Sequence, residues 1–297
     1  MVEGEPEGRL PRLRSKPAPG LYLVATPIGN MGDITLRAIE VLGAADLVAC
    51  EDTRVTAKLM ARLGLDRPLT PYHEHNADKA RPALLARLRE GQVVALVSDA
   101  GTPLVSDPGY RLVNACVAEG LAVTAIPGAS ASLTALQLSA LPSDRWLFGG
   151  FLPSKATQRR QALRELEAVP ATLILYESPN RLAESLADMA AVLGPRDAAV
   201  ARELTKLHEE VVRGPLPALA ERYAQSGPPK GEVVVVVAPP GVAAEASPDD
   251  VDSRLRTAVA EGASIKDAAA LVAAETGHPR RDVYARALRL FRDGNEA

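Results

Sequence analysis

A twelve-residue segment in the first half of the chain carries side chains suited to bind a small polar ligand. It runs from Ser98 to Gly109 and contains two Gly, two Pro, two Ser, two Asp and one Thr. Residues of these types form turns and cannot continue the apolar run Val93–Val97 that precedes them. Open α/β sheets bind ligands at the carboxyl ends of their strands, and a plain strand-to-helix connection needs fewer residues. We therefore predict a ligand-binding loop at this position.

Other predicted strand ends carry loops of the same small, hydroxyl-rich kind. Walls of this kind suit a ligand with hydroxyl and amide-like groups, such as a nucleoside, bound in a cleft between two domains. The sequence has neither a phosphate-binding loop ending in Gly-Lys-Ser/Thr nor a Gly-x-Gly-x-x-Gly motif after the first strand, which disfavours a dinucleotide site. The loops cover residues 26–30, 51–54 and 127–130 in the first half of the chain and 176–181, 202–206 and 230–232 in the second.

Composition and the remaining polar clusters argue against a polyanion-coating, membrane-spanning or metal-binding protein. The formal net charge of −3 argues against a protein that coats polyanions, although a local basic face can still bind RNA. No apolar run approaches the length of a membrane span. Cys50 and Cys116 lack metal-ligand spacing and are predicted to be reduced thiols of a cytoplasmic protein. His73 and His75 project to opposite sides of an extended chain without an evident third ligand, so we expect no metal.

Short apolar runs alternate with helical patterns along most of the chain, which predicts α/β domains with a mainly parallel first sheet. The five consecutive valines Val233–Val237 are predicted to form a central, covered strand, because an exposed run of this kind would aggregate. Near the carboxyl end, Ser264 and Asp267 resemble a helix capping box. The predicted division is a disordered tail over 1–19, α/β domains over 20–140 and 141–240, a linker over 241–251 and a helix-turn-helix-like module over 252–297.

Four motifs together resemble the tetrapyrrole methylase superfamily, the class III S-adenosylmethionine-dependent methyltransferases. They lie at residues 21–36, 98–109, 127–130 and 176–181, in the order and spacing of that superfamily. The resemblance covers about residues 20–240 and implies two α/β domains, S-adenosylmethionine bound in the cleft between them, and a homodimer. It is closest to the branch that methylates the ribose 2′-hydroxyl of a cytidine in the decoding centre of small-subunit ribosomal RNA, for which a carboxyl-terminal helical module is typical.

The resemblance also implies a set of cofactor-binding residues. Relatives carry Gly-Asp-Pro where this chain has Gly101-Thr102-Pro103, so a hydroxyl replaces an acidic contact. Asp99, two residues before that turn, is the candidate to supply the carboxylate instead. The implied cofactor wall consists of Pro27, Ile28, Asp99, Thr102, Pro103, Val105, Ser130, Ala131 and Tyr176.

Methyl transfer to a ribose hydroxyl needs positioning and a base, because an alcohol is a poor nucleophile until its proton is removed. The candidate bases are Glu51, Asp52, Asp99 and Glu177. Two of them have a structural alternative, since Asp52 could pair with Arg54 and Asp99 could cap the loop. The cations expected to contact substrate RNA are Arg54, Lys155, Arg159, Arg181 and Lys206.

The RNA substrate of ribose methylation is either naked RNA or an assembled small subunit. Two other functions compete with ribose methylation. One is methylation of a tetrapyrrole or other small molecule at the same cofactor site, and the other is RNA binding without catalysis. The carboxyl-terminal module favours an RNA substrate over a small molecule. The hydroxyl-rich loops at several strand ends disfavour a purely structural role for the α/β domains.

Overall fold

The computed structural model describes residues 17–241, 248–276 and 278–292. Residues 1–16 of the predicted tail and residues 242–247 of the predicted linker therefore lie outside the described residues.

The first sheet is entirely parallel, which agrees with the prediction of a mainly parallel sheet. Its strands follow one another in the order β3-β2-β4-β1-β5, and the central strand β4 is buried along its whole length. Continuous burial explains the unbroken apolar sequence of β4, since both faces of a parallel sheet are covered. The strands are β1 (Gly20–Val24), β2 (Leu47–Cys50), β3 (Leu69–Pro71), β4 (Val93–Val97) and β5 (Val123–Ile126).

Helices cover both faces of this sheet and form two separate apolar clusters. One cluster joins Val24 and Val48 to Leu42, and the other joins Leu21 and Leu96 to Leu84 and Leu112. Alternate residues of one strand face opposite sides, so β1 contributes to both clusters. The helices are α1 (Leu36–Ala44), α2 (Thr53–Arg62), α3 (Ala77–Arg89) and α4 (Tyr110–Ala118).

The second sheet is mixed. Strand order is β6-β7-β10-β8-β9, with β6 and β7 parallel and the other neighbours antiparallel. The valine run forms β10 at the centre of this sheet and is fully buried, which confirms the prediction that it is a central strand. The strands are β6 (Trp146–Phe151), β7 (Thr172–Glu177), β8 (Asp197–Arg202), β9 (Glu210–Pro215) and β10 (Val233–Val237).

Helices α6 (Ala156–Glu167), α7 (Leu182–Leu193) and α8 (Leu216–Ser226) contribute to the core on one face of this sheet. The opposite face is covered by α5 (Ala131–Ser139), which contacts β10, β8, β7 and β9. Helix α5 precedes residue 140 in sequence but packs on the second sheet, so the structural division falls before α5. In the same cluster, Ile28 packs with Ala135 and Val234, which joins the two domains through one continuous apolar contact.

The carboxyl-terminal module consists of three helices around a small apolar core. They are α9 (Pro248–Ala260), α10 (Ile265–Thr276) and α11 (Arg280–Arg292). The Ser264 hydroxyl accepts a hydrogen bond from the Asp267 backbone N–H (3.2 Å) and donates one to the Asp267 carboxylate (2.6 Å), close to the predicted capping box. Helix α9 begins at Pro248, inside the segment predicted to be linker. None of the described helices is both long and apolar enough to span a membrane.

Candidate active site

A cavity of about 690 Å³ lies between the two α/β domains. The loops after β1, β4 and β5 form its first wall, and residues of β6, β7, β10 and their adjoining loops form the second. The structure brings seven of the predicted cofactor residues together here. They are Ile28, Asp99, Thr102, Val105, Ser130, Ala131 and Tyr176, whereas Pro27 and Pro103 are not among the lining residues.

Backbone and hydroxyl contacts tie the loops of the first wall to one another. The backbone groups of Thr26 and Gly101 exchange two hydrogen bonds, at 2.9 and 3.0 Å. Thr102 donates its hydroxyl hydrogen bond to the Ala129 carbonyl (3.1 Å) and thereby links the loop after β4 to the loop after β5. The threonine at the family's Gly-Asp-Pro position thus has a structural partner within the protein.

The loop from residue 98 to 109 adopts backbone conformations that only a closely constrained segment retains. Gly101 has φ +81°, and a Cβ atom there would lie 3.3 Å from the Ile28 Cγ2 atom. Leu104 and Ser106 also have positive φ angles, +72° and +64°. Such conformations are costly for residues with a side chain and often occur at functional sites. The strain therefore lies within the segment that is predicted from the sequence to bind a ligand.

Two of the predicted bases, Asp52 and Asp99, lie beside each other at the start of α2. The Asp99 Oδ1 atom accepts a hydrogen bond from the Asp52 N–H (3.0 Å), and Asp52 caps α2 through the Arg54 N–H (2.8 Å). Asp52 also forms an ion pair with Arg54 (2.6 Å). Hydrogen bonds from Arg54 lower the pKa of Asp52 to about 2, which makes it a weak base. The structural alternative for Asp52 and Arg54 is therefore the one that the geometry supports.

Glu177 lines the cavity but is engaged by three protein groups. Its Oε1 atom accepts from the Ser178 N–H (2.7 Å) and pairs with Arg181 (2.7 Å), and its Oε2 atom accepts from Ser185 (2.5 Å). The Glu177 side chain is fully buried, and Arg181 also contacts the Leu152 carbonyl (3.4 Å). Glu177 and Arg181 thus hold each other in place beneath the cavity, instead of presenting a free base and a free phosphate-binding cation.

The predicted phosphate contact of Arg159 is wrong. Its side chain is 2% exposed and its Nε atom donates to Asp188 (2.6 Å), which leaves the guanidinium inaccessible to RNA. Asp188 of α7 lies against the start of α6 and accepts hydrogen bonds from both Arg159 and Arg160. Lys155 is exposed immediately before α6, and Arg54 is largely exposed in the first turn of α2.

Lys206 links the two walls. Its Nζ atom pairs with Glu203 (2.7 Å) and Glu232 (3.0 Å), and its aliphatic stem lies so close to Gly29 that a Cβ there would approach the Lys206 Cγ atom to 2.4 Å. Burial lowers the pKa of Lys206, but the two carboxylates outweigh burial and the net pKa is raised. Lys206 therefore remains cationic and cannot assist deprotonation of a substrate.

Sequence reasoning missed Asp107, a carboxylate within the predicted loop that lines the cavity. Burial raises its pKa to about 6, and the nearby Glu51 and Asp99 carboxylates add to that rise. Burial and Asp99 also raise the pKa of Glu51, which is not among the cavity-lining residues. The available signal was the position of Asp107 inside the twelve-residue loop. The family's Gly-Asp-Pro motif corresponds to residues 101–103 and does not include Asp107.

The second wall also contains a cluster of three aromatic side chains, which was not predicted from the sequence. The rings of Phe148 and Phe151 meet the ring of Tyr176 edge to face, with centroids 4.9 and 5.4 Å apart. Phe151 and Tyr176 line the cavity together with Val233 and Val234. Within the described part of the chain, no group of three or more His, Cys, Asp or Glu residues could hold a metal ion.

Comparison with known proteins shows which family this chain resembles. Residues 20–220 match the model of the Tetrapyrrole (Corrin/Porphyrin) Methylases, and residues 245–291 match that of the RsmI C-terminal HTH domain. Two relatives named "Ribosomal RNA small subunit methyltransferase I" come from Mesorhizobium japonicum and Escherichia coli O157:H7. The first is 56% identical over 92% of this chain and 92% of its own length, and the second is 47% identical over 90% and 94%.

Solved structures support the same fold at lower identity. Diphthine synthase aligns with a TM-score of 0.57 at 19% identity, covering 73% of this chain and 89% of its own. Uroporphyrin-III C-methyl transferase from Thermus thermophilus, solved with S-adenosyl homocysteine, aligns at 0.51 and 21% identity over 74% and 97%. The chain thus belongs to the tetrapyrrole methylase family, in the branch formed by the ribosomal RNA small subunit methyltransferases I.

Proposed function

We propose that this protein transfers a methyl group from S-adenosylmethionine to the ribose 2′-hydroxyl of a cytidine in the decoding centre of small-subunit ribosomal RNA. The observation that carries the proposal is the cavity between the two domains, whose lining includes residues of all four motifs that resemble the family. The shared name and high identity of the relatives supply the substrate class.

The residues that line the cavity fit such a cofactor. Its volume lies within the range of small-molecule sites, and it combines apolar side chains with a few polar groups. Ile28, Val105 and Val234 offer apolar contact to an adenine ring, while Ser130 and the peptide groups beside Gly101 offer hydrogen bonds. When bound, S-adenosylmethionine supplies a methyl group on a positively charged sulfur, which is a strong electrophile.

The protein's own contribution begins with positioning. The hydrogen bonds between Thr26 and Gly101 and between Thr102 and Ala129 fix the first wall, and the Glu177–Arg181 pair fixes the second. Holding two reactants in line can lower a barrier by about 7–11 kcal/mol in favourable cases. A rigid cleft of this kind suits a reaction whose donor is already activated.

A second cavity supports an RNA substrate over a small tetrapyrrole. Its volume is about 470 Å³ and its lining includes the cations Arg202, Arg222 and Lys230, of which Arg202 and Arg222 pair with Glu210 at 3.2 and 3.9 Å. Lys230 directly precedes Gly231, which lines the first cavity, so the two cavities have lining residues that are neighbours in the chain. A cationic site next to the reaction site suits the phosphate backbone of a flanking nucleotide. The carboxyl-terminal module provides a second candidate surface for RNA.

We further propose that the protein is a cytoplasmic homodimer. Support for a dimer comes from exposed apolar side chains on and near α4, where Tyr110 is 68% and Val117 66% exposed. Support for the cytoplasm comes from the ribosomal substrate and from Cys50 and Cys116, which are free and buried.

The function is tested with methyl-labelled S-adenosylmethionine and three acceptors: small ribosomal subunits lacking the modification, the corresponding naked RNA, and a uroporphyrinogen. Digestion of the RNA to nucleosides should place the label in 2′-O-methylcytidine. Label in the tetrapyrrole but not in RNA would support the alternative function. If calorimetry detected no binding of S-adenosylmethionine, both methyltransferase functions would be lost and a non-catalytic RNA-binding role would remain.

A further inference from the structure

Among the described residues, four carboxylates line the cavity between the domains, and they differ in their partners. Glu177 is held by Arg181, Ser185 and a backbone N–H, as described above. Glu232 pairs with Lys206. Asp99 is exposed and accepts a hydrogen bond from the Asp52 N–H at the start of α2. Asp107 forms no ion pair within the described part of the chain and is partly buried.

The position of Asp107 is fixed by the strained segment that contains it. Ser106, with φ +64°, precedes it, and Pro108 and Gly109 (φ +140°) follow it. A Cβ atom at Gly150 of β6 would lie 3.7 Å from the Ser106 hydroxyl, so this part of the loop reaches across to the second domain. Asp107 and Tyr176 line the cavity from opposite domains. Burial raises the pKa of the Tyr176 hydroxyl, and the Asp107 carboxylate adds to that rise.

We propose that Asp107 is the general base that removes the proton of the acceptor hydroxyl. This inference rests on the proposed ribose methylation. An Asp107 oxygen accepts the proton of the 2′-hydroxyl while the ribose oxygen bonds to the methyl carbon. The carbon–sulfur bond breaks, its electron pair stays on sulfur, and the products are the 2′-O-methyl ribose, neutral S-adenosylhomocysteine and protonated Asp107. The proton then passes to water when the products leave.

The surroundings of Asp107 suit this role. Burial is the largest cause of its raised pKa of about 6, and the Glu51 and Asp99 carboxylates add to it while the Ser98 hydroxyl opposes it. From the second domain, the titratable groups that line the same cavity are Tyr176, Glu177 and Glu232. A base with a pKa just below neutral is deprotonated at working pH and is a stronger proton acceptor than an ordinary aspartate. Asp52, with its pKa near 2, lacks that property.

The test compares the wild type with Asp107→Asn and Asp107→Ala, and uses Asp66→Asn, an exposed residue outside both cavities, as the matched control. Single-turnover methylation of small subunits is measured from pH 5 to 8, and calorimetry measures binding of S-adenosylhomocysteine. Potentiometric titration of each ligand-free protein provides a readout that does not depend on activity.

We expect both Asp107 variants to lower the single-turnover rate about 100-fold or more, with S-adenosylhomocysteine affinity within about threefold of wild type. The wild-type rate should fall as the pH drops through about 6, and titration of Asp107→Asn should lack one group that titrates there. The proposal would be overturned if the variants reacted within fivefold of the wild-type rate. It would also be overturned if the rates of variant and wild type fell in the same way as the pH drops through about 6. A wild-type rate without an inflection near pH 6 would likewise overturn it, a result that does not depend on how the variants fold. A wild type that binds the cofactor but labels no RNA would count against the proposed function instead.

Discussion

The two walls of the interdomain cleft hold their carboxylates in different ways. On the second wall, Glu177 and Glu232 each have a cationic partner, Arg181 and Lys206. On the first wall, Asp107 has none among the described residues, and it lies in a loop with strained backbone angles. Paired carboxylates stabilise a fold but cannot readily accept a proton, whereas an unpaired one costs stability and remains reactive. The second wall therefore serves as support, and the first wall holds the proposed chemistry.

Replacing Glu177 by alanine should have the largest effect on stability. The change removes one member of a buried pair and leaves Arg181 and Ser185 without their partner. We expect the free energy of unfolding to fall by about 3 kcal/mol, measured by urea denaturation. Asp188→Asn offers no neutral control because it breaks another buried pair, so Glu165→Gln, a change of an exposed carboxylate on α6, serves instead. A loss below 1 kcal/mol would show that the second wall is not a structural support.

Replacing Asp107 by asparagine should raise the free energy of unfolding, in contrast to the loss expected for Glu177→Ala. Because burial raises its folded pKa to about 6, above the value near 3.8 of an unfolded aspartate, the wild type loses stability as the pH rises through that window. Asp107→Asn removes this loss and should add about 1–2 kcal/mol to the free energy of unfolding at pH 7.5, a gain that disappears below about pH 4. Urea denaturation at the two pH values checks both the sign and the window. Equal stability of variant and wild type at pH 7.5 would mean that Asp107 is not under electrostatic stress.

A single methyl group at Gly101 should weaken the cofactor site of the first wall. Gly101 and Gly64 both have positive φ angles, so alanine strains the backbone at both positions by about 1 kcal/mol. At Gly101 the new Cβ also meets Ile28 inside the cavity, whereas at Gly64 it meets nothing within 4 Å. Calorimetry should therefore show about tenfold weaker binding of S-adenosylmethionine for Gly101→Ala and no change for Gly64→Ala. Equal affinities for both variants would remove Gly101 from the proposed site.

The smallest expected effect concerns the cationic cavity beside the second wall. Arg222→Ala and Lys230→Ala should each weaken RNA binding about three- to fivefold and reduce the slope of log affinity against log salt by about one. Binding of S-adenosylmethionine should remain unchanged. Arg164→Ala on α6 is the control, because Arg164 lines neither cavity. A loss as large for Arg164 as for Arg222 would mean that the RNA follows another surface.

The sequence was least informative where elements lacked a clear pattern. Strand β6 contains two glycines, which weaken a strand pattern, and it pairs with β7 through an irregularity between Phe148 and Gly150. Helix α5 lies between the domains and buries residues without a simple one-sided stripe. Strand β9 is an edge strand with partly exposed side chains, so it lacks the continuous apolar run of β10.

The sequence by itself determined the alternation of strands and helices, the central valine strand, and the loops that meet at the cleft. Each depends on local composition, because turn residues interrupt strands wherever they occur and apolar runs must be covered. Only the tertiary structure decided which charged side chains are available. Asp188 neutralises Arg159 from 29 positions away in the chain, and Glu232 holds Lys206 from 26 positions away. Burial and contacts between distant segments set the pKa and the reach of an ionisable group, so Asp107 became apparent only in the folded chain.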